Sequence, residues 1–340
     1  MKKQTINYIG KTFTSKYFDK LTDSEYEDVI RWFKSKPNKN KVIESLSNVL
    51  TGKKVQMTDI EKYYFRDLIY STKLKYSKWS IEEVLKNKEL LGFLKGRIKA
   101  YPKVFKDTDP LGKNIETAFR ISGKEIAKKP SNFPLKEAKR IIKKYNINNN
   151  YYDFSCGWGV RLLASLSLNI NYFGTDVNVR LFDKLNEMVS DIKENNLLFF
   201  PNVDIRNCSS ETFISEWENK MGLCFSSPPY YDLEDYKFGD QSIKNYKTYK
   251  EWLDNYAEIT MQNIYLYLID GGYFLLNIKN TKEYKMMTDM KRIAEKYFKF
   301  VRFETLNYGK RVKSNKEIER GTEDIAAFVK FDKDKQNVLK

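Results

Sequence analysis

Apolar and polar positions follow two different patterns along this chain. Over the first hundred residues the apolar clusters read as short helices, each opened by a Ser or Thr with Glu three residues later, the spacing of a capping box. Ser24 with Glu27 precedes "DVIRWF", Thr58 with Glu61 precedes "KYYFRDLIY", and Ser80 with Glu83 precedes "VLKNKELLGFL". No strand alternation and no internal repeat stands out there. "YPKVFKDTDPLGKN", residues 101–114, carries two prolines and several turn formers and reads as a linker. From about residue 115 helical segments alternate with short apolar strands. "FPLKEAKRIIKKY" is followed by strand "YYDF", "VRLLASLSL" by "NYFGTDV", "NVRLFDKLNEMVSDIKEN" by "VDIRNC". Then come strand "GLCFSS", a long helix within 246–268, strand "GGYFLLNIK", helix "YKMMTDMKRIAEKY", and closing strands "FVRFETLNY" and "DIAAFVKF". Such alternation predicts an α/β domain with a mainly parallel, doubly wound, Rossmann-like sheet.

Charge sharpens the division. The chain carries a net +16, and residues 1–150 hold 34 Lys and Arg against 17 Asp and Glu, whereas the remainder holds 27 against 28. A Lys-rich genomic bias would enrich both parts, so the asymmetry points to a surface that faces a polyanion, nucleic acid first among candidates. The expected organisation is a basic helical domain over 1–110 that binds nucleic acid, followed by the α/β domain over 115–331. No window of about 18 uninterrupted apolar residues and no secretory leader pattern is visible. A soluble, cytoplasmic protein with no membrane partner is expected. The 340 residues include no histidine, and Cys156, Cys208 and Cys224 form no CxxC pair. This excludes a disulfide framework, a zinc site and histidine acid–base chemistry, and leaves Cys156 and Cys208 as small buried hydrophobes. "DLED", 232–235, reads as a solvated acidic turn and not as a metal site.

In a doubly wound sheet, ligands bind beyond the C-terminal ends of the strands. Two turns fall at such ends. In "DFSCGWGVRLL", Gly157 and Gly159 stand between strand and helix, where glycine lets the backbone approach a ligand. Leu162 occupies the place of the third glycine of a dinucleotide fingerprint, which weakens a nicotinamide reading. Nineteen residues after Gly157, "YFGTDV" delivers Asp176 to the next strand end, where a carboxylate can accept both hydroxyls of a ribose. The second turn is "SSPPYYDLEDY". Neither proline can donate to a sheet, so the pair stands just past the strand and stiffens the chain there.

Taken together, the Asp153–Gly159 loop, Asp176 and the tetrapeptide Ser227-Pro228-Pro229-Tyr230 resemble the S-adenosylmethionine-dependent amino-methyltransferases of DNA. These carry an FxGxG-like cofactor loop and a [DNS]PP[YFW] catalytic tetrapeptide. "NFPLKEAKRIIKKY" looks like the family's further cofactor segment. More narrowly, the sequence resembles a group of phage and bacterial methyltransferase-like proteins. The resemblance covers about residues 115–331 and implies a class I methyltransferase fold. It implies S-adenosylmethionine as cofactor, held by Asn132, Phe133, Pro134, Asp153, Ser155, Gly157, Gly159 and Asp176. It also implies Ser227, Pro228, Pro229 and Tyr230 as the catalytic residues. Ser155 departs from the family pattern, which has its first glycine there. No long insertion of the kind that recognises the target separates or follows the motifs.

The implied chemistry accounts for the prolines. An aromatic amine is a poor nucleophile because its lone pair is conjugated with the ring. Ser227 Oγ and the Pro228 carbonyl can each accept one amino N–H and so turn that lone pair toward the methyl donor, while Tyr230 stacks on the extruded base. The amine becomes cationic as the methyl arrives and can release its proton to water, so no histidine is required. Serine at the first tetrapeptide position tilts the expectation toward N4 of cytosine over N6 of adenine. Two alternatives remain at this point: the same cofactor with RNA or protein as acceptor, and a catalytically idle module that binds nucleic acid.

Overall fold

A computed structural model describes residues 3–53, 57–121, 125–195, 197, 201–236, 241–312 and 318–331. In chain order its strands are β1 (Gln4–Tyr8), β2 (Lys11–Ser15), β3 (Lys73–Leu74), β4 (Asn150–Asp153), β5 (Asn171–Thr175), β6 (Val203–Arg206), β7 (Met221–Ser226), β8 (Glu234–Asp235), β9 (Leu268–Leu276), β10 (Lys299–Val312) and β11 (Ile318–Val329). The chain divides into two units. The first comprises residues 1–39, 61–131 and 232–237, the second residues 40–60, 132–231 and 238–340.

The second unit contains the expected doubly wound α/β sheet, seven strands in the order β10-β11-β9-β7-β4-β5-β6. β6, β5, β4, β7 and β9 run parallel, and the closing hairpin adds β11 and β10 antiparallel. Tyr151 of β4 stands opposite Tyr172 of β5 and Leu223 of β7. The interiors of the central strands are apolar because both faces are covered: all six residues of β7 are buried. Helix Leu135–Tyr145 shows how the covering works. Ala138, Ile141, Ile142 and Tyr145 form its buried stripe, while Lys136, Lys143 and Lys144 are exposed. β10 is fastened to that helix through Glu304, which accepts from Lys144 (2.7 Å), Tyr145 (2.5 Å) and Arg302 (2.6 Å).

The first unit departs from an all-helical region. β1 and β2 form a hairpin with Ile6 opposite Phe13, both buried. Its two-residue turn holds Ile9 and Gly10 at positive φ, 48° and 66°, the left-handed pair that matches strand twist. Helix Asp23–Lys34 starts two residues before the predicted box. Thr22 accepts from the Glu25 N–H (3.1 Å) and Glu25 accepts from the Thr22 N–H (2.8 Å), because the same spacing occurs two residues earlier in "TDSE". The box at Ser80 and Glu83 forms as predicted. Thr58 is already helical, and Glu61 is ion-paired with Lys129 instead of capping.

The predicted linker is helical from Leu111, and helix Leu111–Ile121 joins the first unit. Ile115, Ala118 and Phe119 are buried there, and Phe119 meets Phe33 edge-on. The helical unit therefore continues past the expected boundary, while helix Lys39–Leu50 groups from residue 40 onward with the sheet unit. "DLED" is not a free acidic turn: Glu234–Asp235 pairs antiparallel with Lys73–Leu74, and Asp232 bonds Lys75 at 2.5 Å. No described helix is long and apolar enough to cross a membrane.

Candidate active site

The glycine loop follows β4. Gly157 and Gly159 take φ of 57° and 71°, so both need glycine, and Gly159 caps helix Val160–Leu166. Ser155 is not among the residues with positive φ, so its backbone does not call for glycine. Its carbonyl instead fastens the loop, accepting from Arg161 Nη2 and from Ser226 Oγ at 3.2 Å. The loop also lies along the end of β5: Cys156 N–H and its thiol both donate to the Thr175 carbonyl, at 3.2 and 3.3 Å. That approach requires Gly174, where a Cβ would stand 2.6 Å from Cys156 Sγ.

Arg161 organises the site, and the sequence reading passed over it. It is buried, and its Nε and Nη2 grip the two oxygens of Asp153 at 2.9 and 3.1 Å. Nη2 also reaches Ser226 Oγ at 3.2 Å, and the guanidinium lies 5.9 Å from the ring centre of Phe133. Burial is the largest single influence on Arg161 and lowers its pKa, but the Asp153 charge and hydrogen bonds together with the nearby Tyr151 and Tyr172 hydroxyls outweigh it, and the net shift is upward. Asp153 is wholly buried and accepts a further bond from the Tyr172 hydroxyl (2.9 Å). Its carboxylate therefore holds the loop from within. A cation inside the apolar helix "VRLLASL" was the available signal, since arginine is almost never buried without a partner.

Asp176 stands just past β5. Its carboxylate accepts from the Asn178 N–H at 3.0 Å and from the Gly157 N–H. Part of the residue stays open, yet the carboxyl lies deep enough that burial raises its pKa to about 6, against those two N–H groups. Asn207, from the turn after β6, donates to the Asp176 carbonyl at 2.9 Å. Loop and acid are thus joined, as the motif spacing predicts. In the 132–134 segment, Phe133 packs edge-on against Phe225 of β7, 5.5 Å between ring centres, and Pro134 precedes helix Leu135–Tyr145.

The tetrapeptide leaves β7 immediately after Ser226. Pro228 is buried, whereas Ser227, Pro229 and Tyr230 are half-buried. The segment after β9 supports both ends. Asn277 Nδ2 donates to Ser227 Oγ at 2.7 Å, and the Lys279 N–H donates to the Tyr230 hydroxyl at 3.1 Å. Behind it Tyr231, Tyr249, Trp252 and Tyr284 form an aromatic cluster, with Tyr231 perpendicular to Tyr284 at 5.3 Å. Cys156 and Cys224 are buried free thiols, and Cys208 is half-buried. Among the described residues no group of three or more Cys, Asp or Glu is arranged to hold a metal.

The sheet and its strand-end loops define a doubly wound α/β protein with one candidate site at the C-terminal ends of β4, β5 and β7. No protein-family model matches the sequence, and no curated protein matches it. Among solved structures the chain is similar to an S-adenosylmethionine-dependent O-methyltransferase from Thermotoga maritima, at 11% identity and TM-score 0.40 over 60% of this chain and 68% of that one. It is similar to TehB from Haemophilus influenzae, at 15% identity and TM-score 0.37 over 58% and 62%. It is also similar to the tRNA methyltransferase TrmI from Aquifex aeolicus, at 13% identity and TM-score 0.38 over 62% and 80%.

Proposed function

We propose that the protein is an S-adenosylmethionine-dependent methyltransferase acting on the exocyclic amino group of cytosine or adenine in DNA. One observation carries this reading: Ser226, the residue before the tetrapeptide, bonds both the Ser155 carbonyl and Arg161, so the glycine loop and the tetrapeptide belong to one site. The residues fit the cofactor. The two left-handed glycines add no side chain of their own to the loop, and Asp176 offers a carboxylate oxygen to a ribose diol beside them. When bound, S-adenosylmethionine supplies an electrophilic methyl group on a sulfonium.

The chain's own residues do the rest. Ser227 Oγ and the Pro228 carbonyl accept the two amino N–H bonds and aim the nitrogen lone pair, and Tyr230 presents a ring for the base. The buried Arg161–Asp153 pair keeps loop and tetrapeptide in register, and water takes the proton released by the methylated amine. Serine at position 227 favours cytosine as the acceptor.

Nucleic-acid affinity is assigned to the first unit. It holds 27 Lys and Arg against 17 Asp and Glu, and Lys16, Lys20, Lys34, Lys36, Lys103 and Lys106 are exposed on it. Tyr17 and Tyr101 lie among them, 5.9 Å between ring centres, with Lys16 and Arg97 at 5.3 and 5.8 Å from the Tyr17 ring. Cations interleaved with open aromatic rings suit phosphates and unstacked bases.

The test is transfer of labelled methyl from S-adenosylmethionine to duplex DNA, single-stranded DNA and RNA, followed by digestion to nucleosides and mass analysis. N4-methylcytosine or N6-methyladenine in the DNA arms is the expected product. Label confined to RNA would reassign the acceptor, and cofactor binding without label in any arm would refute amino-methylation of nucleic acid.

A further inference from the structure

Asn277 follows directly on β9 and is 4% exposed. Its backbone N–H donates to the Ser226 carbonyl at 3.1 Å and its Nδ2 to the Ser227 hydroxyl at 2.7 Å. Its other amide atom, Oδ1, is buried and has no hydrogen-bond partner. A buried acceptor without a donor is uncommon and costs stability, so an amide that served packing alone would be replaced at little loss by an apolar side chain.

We infer that Asn277 is the positioning residue for Ser227. The inference rests on the reading of Ser227 as an acceptor for the substrate amine. A serine oxygen carries two lone pairs and one freely rotating hydrogen. With one lone pair held by Asn277 Nδ2, the hydroxyl hydrogen is turned away from the amide and one lone pair remains for an incoming N–H. The hydroxyl is thereby reduced from a free rotor to a preset acceptor before substrate arrives. The backbone bond to Ser226 keeps the asparagine itself in register with the strand end. Asn277 touches no reacting atom in this scheme; it acts through Ser227.

The test is a double-mutant cycle read in single-turnover methyl transfer, with cofactor affinity measured alongside. Asn277→Asp keeps the shape and removes the N–H donor, and Asn277→Ala removes the amide. Each is expected to slow transfer roughly 10- to 100-fold, as small misplacements of reacting groups do, with cofactor Kd unchanged. Either change placed on Ser227→Ala should add nothing, because the asparagine works only through the serine. Asn277→Asp at the wild-type rate, or a double variant slower than Ser227→Ala alone, would overturn the inference while leaving the methyltransferase reading intact. A wild-type protein that binds cofactor and labels no base would remove the reading itself, and the inference with it.

Discussion

The two units use charge in opposite ways. In the sheet unit the decisive charges are buried and joined. Arg161 and Asp153 have 7% and 0% of their side chains exposed, and Glu304 gathers Lys144 and Arg302 around one carboxylate. In the helical unit Lys62 pairs with Glu116 and Lys129 with Glu61, Lys95 alone bridges two acids, Asp19 and Glu25, and many further cations lie on the surface. The sheet unit carries 34 Lys and Arg against 28 Asp and Glu over a longer chain, so the excess is more dilute there. Buried pairs fix geometry and fail as a group when one member is lost. Exposed cations act separately, add up, and yield to salt. One unit should therefore respond to substitution in a cooperative manner and the other in small, additive steps.

The largest expected effect tests the cooperative half. Arg161→Ala leaves the Asp153 carboxylate buried without its partner, which typically costs about 3–5 kcal/mol. Denaturant unfolding should show that loss, and cofactor binding should vanish with it, since the Ser155 and Ser226 fastenings go at the same time. An Arg161→Ala protein of wild-type stability would break the comparison at its strongest point.

Next is Asp176, where function and stability oppose each other. An unfolded aspartate ionises near 3.8, whereas burial holds this one protonated up to about 6. The folded state thus binds the extra proton between those values, and stability falls as pH rises through that window. At pH 7 ionising the group in place costs about 3 kcal/mol. Asp176→Asn should therefore raise the Tm of the cofactor-free protein at pH 7, with no gain below about pH 4. The same change should weaken S-adenosylmethionine by roughly 1.5–3 kcal/mol, because a charged acceptor is lost. In the wild type, cofactor affinity should decline as pH drops through 6. Calorimetry across pH 5–8 checks both directions.

The sheet elements were legible because they are repetitive: a strand buried on both faces must read as an apolar run, and helix Leu135–Tyr145 shows its stripe in sequence. The loops were legible because glycine and proline mark positions that other residues cannot take, as Gly157 and Gly159 do. What stayed hidden depends on distant partners. The β1–β2 hairpin has one buried side chain per strand and an Ile-Gly turn in place of Asn-Gly, too little pattern to identify from sequence. β8 is two residues long and exists only because Lys73–Leu74, far back in the chain, offers an edge. Asn277 looks like an ordinary polar end to "FLLN" until Ser227 is placed beside it. The charge count misled in one respect: five of the cations before residue 150 belong to helix Leu135–Tyr145, which lies in the sheet unit.

The additive half is tested by removing exposed lysines. Lys16→Ala, Lys103→Ala and Lys106→Ala combined should lower duplex affinity about tenfold at low salt and reduce the slope of log K against log salt by roughly 2 to 3, if each meets one phosphate. The three single changes should sum to the triple. Methyl-transfer rates at saturating DNA should stay at the wild-type level. A triple variant that loses cofactor binding would show that the lysines support the fold, and the contrast between the units would then be one of degree.

The smallest effect separates stacking from charge within the helical unit. Tyr101 is 44% exposed, its ring tilted 48° against Tyr17 and its hydroxyl 3.3 Å from the Tyr17 hydroxyl. If the pair merely closes the end of helix Lys88–Ala100, Tyr101→Ala should lower stability slightly and leave nucleic-acid binding alone. If it is a platform for unstacked bases, affinity for a single strand should fall by about 1 kcal/mol, the low end of base–aromatic stacking, because Tyr17 remains. A strand of the same length with abasic sugars decides between them: it keeps every phosphate and offers nothing to stack, so wild type and Tyr101→Ala should bind it equally. Tyr101→Phe should behave as wild type on both strands, since the ring is retained and only the hydroxyl contact with Tyr17 is lost. An equal loss on both strands would instead mean that Tyr101 holds the neighbouring cations in place, and binding by this unit would then rest on charge alone.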